Sequence, residues 1–179
     1  MTAHPLVAQL RFTRGEWVRG LEGVSPADAT RRVGSVNSIS WIIGHLAWQE
    51  QAYWLQRAQG KIIVPAVERC GNGQPASTPP LEEMWAAWRT VTAAADPYLD
   101  SLTAEALLTR WEREPTTESI GTKLLRMTYH YWYHLGEAQA IRQALGHTGL
   151  PSFVGDIAQA PYRPESAARV SFRGSDFDF

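Results

Sequence analysis

Residues 120–146 read IGTKLLRMTYHYWYHLGEAQAIRQALG, and this stretch decides the fold. Ile120, Leu124, Met127, Tyr131, His134, Ala138, Ile141 and Leu145 recur at alternating four- and three-residue intervals, the pattern of a helix with one buried face. His130 lies on the shoulder of that stripe. Thr116, Thr117 and Ser119 offer side-chain oxygens to cap the start of the helix. Gly146 ends it, as glycine does where the last turn closes through a left-handed residue. A helix apolar along one side gains most of its stability by packing against other elements.

Working outward, a second stripe lies upstream. Trp41, His45, Trp48, Ala52 and Leu55 follow the same alternation within a helix expected from Ser38 or Ser40 to Gln59, with Gly60 as its stop. A first helix is expected from Pro5 to Leu21, with proline in the first turn and Leu6, Leu10, Trp17 and Leu21 on one side. A third starts at Thr78 or a neighbouring polar group and buries Leu81, Trp85, Trp88 and Val91 or Thr92. Pro97 should kink or divide it.

The long connection from Lys61 to Pro80 reads as a crossover across the end of a bundle or a lid over a pocket. A short helical piece around Thr103 to Leu108 and an irregular stretch from Trp111 to Pro115 precede the last helix. The expected fold is all-α: a four-helix bundle over residues 1–146 with long connections, and an irregular C-terminal extension over 147–179. Phe153, Val154, Tyr162, Phe172, Phe177 and Phe179 are expected to anchor the extension on the bundle or on a partner subunit.

Composition narrows the function classes. The 179 residues are 44% hydrophobic and 20% charged, ordinary for a globular protein. A net charge of -1 and a pI near 6.5 give no electrostatic reason to expect a nucleic-acid partner. The most apolar stretch, Trp41 to Trp48, is interrupted by Gly44 and His45 and falls far short of the ~20 residues that span a membrane. Cys70 is the single cysteine, so no internal disulfide forms, and no secretory signal opens the chain; a cytoplasmic location is the expectation. Nothing in its surroundings marks Cys70 as a nucleophile. The eight tryptophans read as core and interface filler.

The histidines carry the chemistry. His130 and His134 sit four apart, about 40° around a helix and one turn along it, so their imidazoles can share a metal. His45 is the best third ligand because it occupies the inward stripe of another helix, whereas His4 lies in the N-terminal fray and His147 follows Gly146. Three neutral imidazoles suit zinc, nickel, iron or copper and leave positions for water or substrate. The same spacing also serves a packed or surface pair.

Glu137, three residues past His134, could orient an imidazole, accept a proton, add a ligand or simply face solvent. A single His-x-x-Glu differs from the repeated Glu-x-x-His of dinuclear carboxylate bundles, which argues against a second metal. Gln49 and Tyr53 fall one and two turns after His45, at a pocket mouth or in helix packing. Arg126 and Arg142 flank the last stripe, as surface charges or as attractors of an anion.

Residues 40–46, SWIIGHL, and 129–138, YHYWYHLGEA, resemble the histidine-bearing helices of the DinB/YfiT-like superfamily. The similarity spans roughly residues 5–146, including helix order and the glycine-terminated last helix. In that family a histidine on the second helix and a HxxxH pair on the last bind a metal, so the resemblance implies that His45, His130 and His134 do so here. It implies one divalent ion, zinc or nickel foremost with iron also admissible, and a homodimer. Members include enzymes that add low-molecular-weight thiols to electrophiles. The resemblance therefore implies a metal-dependent thiol S-transferase-like protein acting on a small molecule. Two other readings stand beside it: a metal-binding stress or accessory protein without turnover, and a structural helical dimer without metal.

Overall fold

The computed structural model describes residues 3–112, 116–152 and 154–162. The expectations for Phe153, Phe172, Phe177 and Phe179, and for the stretch's end at Pro115, lie outside the described residues. Among the described residues the chain is all-α, with no strand. Helix α1 spans Pro5–Gly20, with His4 as its cap accepting from the Leu6 N–H. The stretch between α1 and the next long helix contains a short helix α2, Pro26–Thr30, entered through the Ser25 cap and a first-turn proline.

Helix α3, Ile39–Glu50, is capped by Ser38 and runs without a break into a π-helical stretch, Gln51–Arg57. Helix α4 spans Leu81–Asp100, α5 Ala104–Leu107 and α6 Ile120–Ala144. Of the three possible caps for α6, Ser119 is the one used, and Gly146 closes the helix at φ +85°.

The start of α4 differs from expectation. Pro80 occupies the cap position, no side chain caps the helix, and Glu82 and Glu83 in the first turn face its positive end. Pro97 does not divide the helix. It sits in the final turn, where the loss of one backbone bond is local and the fully buried Leu99 holds the chain beyond it.

The connection between α3 and α4 runs back along α3 rather than across an end. The Ser38 hydroxyl donates to the Ser77 carbonyl at 3.1 Å, so both helices begin at the same place and run parallel. Pro65–Cys70 within it forms a 3-10 turn packed on α3. Helix α1 is antiparallel to α4, since Val18 and Leu21 share a surface with Leu81 and Trp85 while Arg14 meets Asp96. It is parallel to α6: Leu6 neighbours Gly121, and the Gly20 carbonyl accepts from Gln139.

Inside, Leu10, Trp17, Ile42, Ile43, Leu46, Trp54, Leu124 and Met127 are inaccessible to solvent. Each such side chain contributes about 1.5–3 kcal/mol. Four tryptophans, Trp17, Trp41, Trp54 and Trp88, are buried, as core filler should be.

One buried polar network crosses this core. Arg14 grips Glu50 with two bonds of 2.8 and 2.7 Å, Tyr131 donates to Glu50 at 2.9 Å, and Trp88 donates to the Tyr131 oxygen at 2.7 Å. It joins α1, α3, α4 and α6, and each charged group in it has its partner, which a buried ion requires.

Beyond α6 the chain folds back along α1. Arg19 donates to the Ser152 carbonyl, the Gly155 N–H to Glu16, and Gln9 to the Ala160 carbonyl. The anchorage is polar because an irregular backbone needs partners for its own groups. Val154 is half-buried, whereas Tyr162 is 90% exposed and anchors nothing.

Candidate metal centre

His45 points from α3 where a glycine precedes it. A Cβ on Gly44 would come within 2.5 Å of the Met84 sulfur and 2.7 Å of the Cys70 sulfur. Only glycine lets α4 and the 3-10 turn approach this closely, and the approach brings the Cys70 carbonyl to 2.7 Å from His45 Nδ1. The ring is further held by near-parallel stacking on Trp41 and Trp48, with centroids at 4.8 and 5.4 Å.

On α6, His134 Nδ1 lies 2.7 Å from a Glu137 oxygen. His130 stands between the other two: its Nε2 is 3.2 Å from His45 Nε2 and 2.9 Å from His134 Nε2. All three ligand atoms fall within 4.8 Å of one another. Two imidazole nitrogens bound at the usual zinc distance to one tetrahedral ion would stand about 3.3 Å apart. The spacing therefore fits a shared ion.

The protonation pattern fits as well. A carbonyl only accepts, so His45 donates from Nδ1 and its Nε2 carries a lone pair; the Glu137 carboxylate fixes His134 the same way. Two lone pairs thus face His130 Nε2, which as a neutral ring can donate to at most one of them. A cation at the point of convergence satisfies all three nitrogens at once. Burial lowers the His45 pKa to about 4; burial, then the neighbouring His134 and His45, lower that of His130 to about 3. Both rings are neutral at neutral pH, the form that binds metal.

A cavity of about 830 Å³ adjoins the cluster through His130. Gln49 and Tyr53 lie on its wall, as do Arg57, Glu118, Lys123 and Arg126. Glu118 pairs with Lys123 at 2.7 Å and with Arg126. These contacts, with the Arg126 hydrogen bond first and that of Lys123 second, lower its pKa to about 2. Arg142 is elsewhere: it is buried and committed to the Gly20 carbonyl and to His147. His147 also meets Asp28 at 3.3 Å and has no part in the cluster. Cys70 serves through its backbone, and burial raises its thiol pKa to about 11.

Three features of the site were not read from the sequence: the Cys70 carbonyl, the tryptophan stack on His45, and the Lys123–Glu118–Arg126 group. The stack was open to discovery, since Trp41 and Trp48 lie four before and three after His45. The carbonyl was not, because its position depends on the path of the long connection.

Fold and site together define an all-α protein with three histidines close enough to hold a metal ion. The chain belongs to the DinB superfamily, whose family model matches residues 9–138. No curated protein matches it. Among the described residues no helix is long and apolar enough to cross a membrane.

Proposed function

We propose that His45, His130 and His134 hold one divalent ion, zinc or nickel foremost, and that the protein transfers a small-molecule thiol to an electrophilic carbon. The observation that carries the reading is the meeting of three imidazole Nε2 atoms, two of them with their lone pairs fixed inward by the Cys70 carbonyl and Glu137. A divalent ion held by three neutral ligands keeps a net positive charge and free positions, and so would stabilise a thiolate at neutral pH. Membership of a superfamily in which such histidines bind metal supports this reading.

The chain's own groups divide the remaining work. Glu137 and the Cys70 carbonyl orient two of the rings and make them better ligands. Trp41 and Trp48 cover His45 and keep water from its faces. The cavity beside His130 has room for a substrate, with Gln49 able to donate and accept hydrogen bonds at its wall.

Purified protein, loaded with zinc or nickel and then stripped, tests the proposal against several low-molecular-weight thiols and a generic electrophile. Thioether formation should depend on the metal and vanish in His130→Ala. Metal bound without any turnover would favour the accessory-protein reading. A rate indifferent to metal removal would contradict metal-dependent transfer.

A further inference from the structure

Tyr53, Tyr98 and Tyr131 lie wholly or partly inside the bundle, and the last two have their oxygens engaged. Tyr131 donates to Glu50 and accepts from Trp88, and the half-buried Tyr98 accepts from Trp111 Nε1 at 2.8 Å. Such pairing is the ordinary fate of a phenol taken out of water. Tyr53 departs from it. The residue is only 5% exposed, yet its hydroxyl makes no hydrogen bond to any described residue. The indole N–H groups of Trp17, Trp41 and Trp54 are also without partners, but they are sealed from solvent, and the Tyr53 oxygen is not.

The ring is held while the oxygen is left open. Trp54 meets it edge-on at a centroid distance of 5.7 Å and Trp111 at 6.2 Å, and the Lys123 ammonium and Arg57 guanidinium stand 5.0 and 5.1 Å from its centre. The backbone beneath is equally fixed. Tyr53 lies in the π-helical stretch that continues α3, a form found frequently at functional sites. Gln51 pins that stretch: its side-chain oxygen accepts from the Ile63 and Val64 N–H groups at 3.0 and 2.8 Å, and its amide donates to the Val64 carbonyl. Tyr53 forms part of the wall of the cavity that reaches His130, and the charges acting on its hydroxyl belong to Lys123, Arg126, Arg57 and Glu118, all on that wall. The hydroxyl therefore faces the cavity. Burial, the largest influence, keeps the phenol above its ordinary pKa, so at neutral pH the oxygen carries its hydrogen and can donate it.

We infer that Tyr53 is a substrate-binding residue of this cavity, its hydroxyl donating a hydrogen bond to a carbonyl oxygen on the electrophile. A carbon that a thiol attacks in neutral water is commonly made electron-poor by a conjugated carbonyl, and inside a cavity that oxygen needs a donor. The bond forms without breaking another, because the hydroxyl has no protein partner to give up. The inference deepens the proposed function by naming a residue that meets the substrate and the group it meets; it rests on that reading for the cavity as the substrate site.

The probe is cinnamamide labelled with carbon-13 at its carbonyl, neutral so that the charges on the wall have little hold on it, titrated into the whole protein both metal-free and zinc-loaded. Wild type should bind it about 3–10-fold more tightly than Tyr53→Phe, the net worth of one such bond. The carbonyl resonance should move downfield on binding wild type and lose that shift in the variant. Tyr53→Phe should melt at or above the wild-type temperature, since it deletes a hydroxyl that bonds to nothing in the fold. An affinity unchanged by the substitution, a carbonyl shift that survives it, a lowered melting temperature, or no binding of cinnamamide to wild type would overturn the inference. Because the metal-free arm reads the cavity alone, failure of the metal-thiol reading would appear in the metal content and transfer assays and not here.

Discussion

At the scale of the residue, the site depends on groups that fix where protons sit. Glu137 holds a hydrogen on His134 Nδ1 and thereby turns the Nε2 lone pair toward its neighbours. Glu137→Gln keeps the shape but loses the charge, and it should weaken metal affinity about 10–100-fold with little change in the melting temperature. Competition titration against a chelator measures this; an unchanged affinity would show that the contact orients nothing. Glu118 makes a separate prediction with pH. Its pKa falls from an ordinary 4.5 to about 2 in the folded protein, so its pairing with Arg126 and Lys123 stabilises the fold fully above about 4.5. That contribution is lost as pH drops toward 2. Acid titration of wild type beside Glu118→Gln should therefore show the stability gap between them closing over this interval, and a gap independent of pH would refute it.

At the scale of the element, the 3-10 turn Pro65–Cys70 and α3 meet at Gly44, and that meeting delivers the carbonyl to His45. Gly44→Ala places a methyl group against two sulfurs and should cost about 1–3 kcal/mol by overpacking. It should also weaken metal binding, because the turn must withdraw from α3. Denaturant melts and metal titration on the one variant read both effects, and a loss of stability with full metal affinity would separate the turn from the site. The long helices were legible in the sequence because amphipathic periodicity repeats over many residues: the α6 stripe from Ile120 to Ile141 is buried at every position. The connection was not. Its structure depends on tertiary neighbours, which a run broken by Pro65, Gly71, Gly73 and Pro75 does not encode locally. The start of α4 misled for a related reason, since Pro80 fixes its own backbone angle and a polar cap at Thr78 is not needed.

At the scale of the whole molecule, the Arg14–Glu50–Tyr131 network sets the register between the two helices that carry the histidines. Glu50 follows His45 by five residues on α3, and Tyr131 directly follows His130 on α6, so their 2.9 Å bond fixes one histidine segment against the other. Glu50→Gln would leave the buried Arg14 with the half-exposed Asp96 as its remaining carboxylate and should cost up to about 3–5 kcal/mol. Tyr131→Phe, a gentler change, should cost about 1–3 kcal/mol, read from urea melts; no loss in either would mean the network is ornamental. This network escaped the sequence reading because Arg14 and Glu50 are 36 residues apart. Their burial follows only from packing. The histidine set was legible because two of its members share a helix and the third shares a stripe with Trp41 and Leu55.

The proposed metal centre joins three imidazoles from two helices on one ion. Elemental analysis of purified wild type beside His45→Ala, His130→Ala and His134→Ala addresses it directly. Metal near one equivalent in wild type, and its loss in every variant, each still helical by circular dichroism, is the expected result. Equal metal in all four proteins, or none in any after zinc or nickel loading, would contradict it.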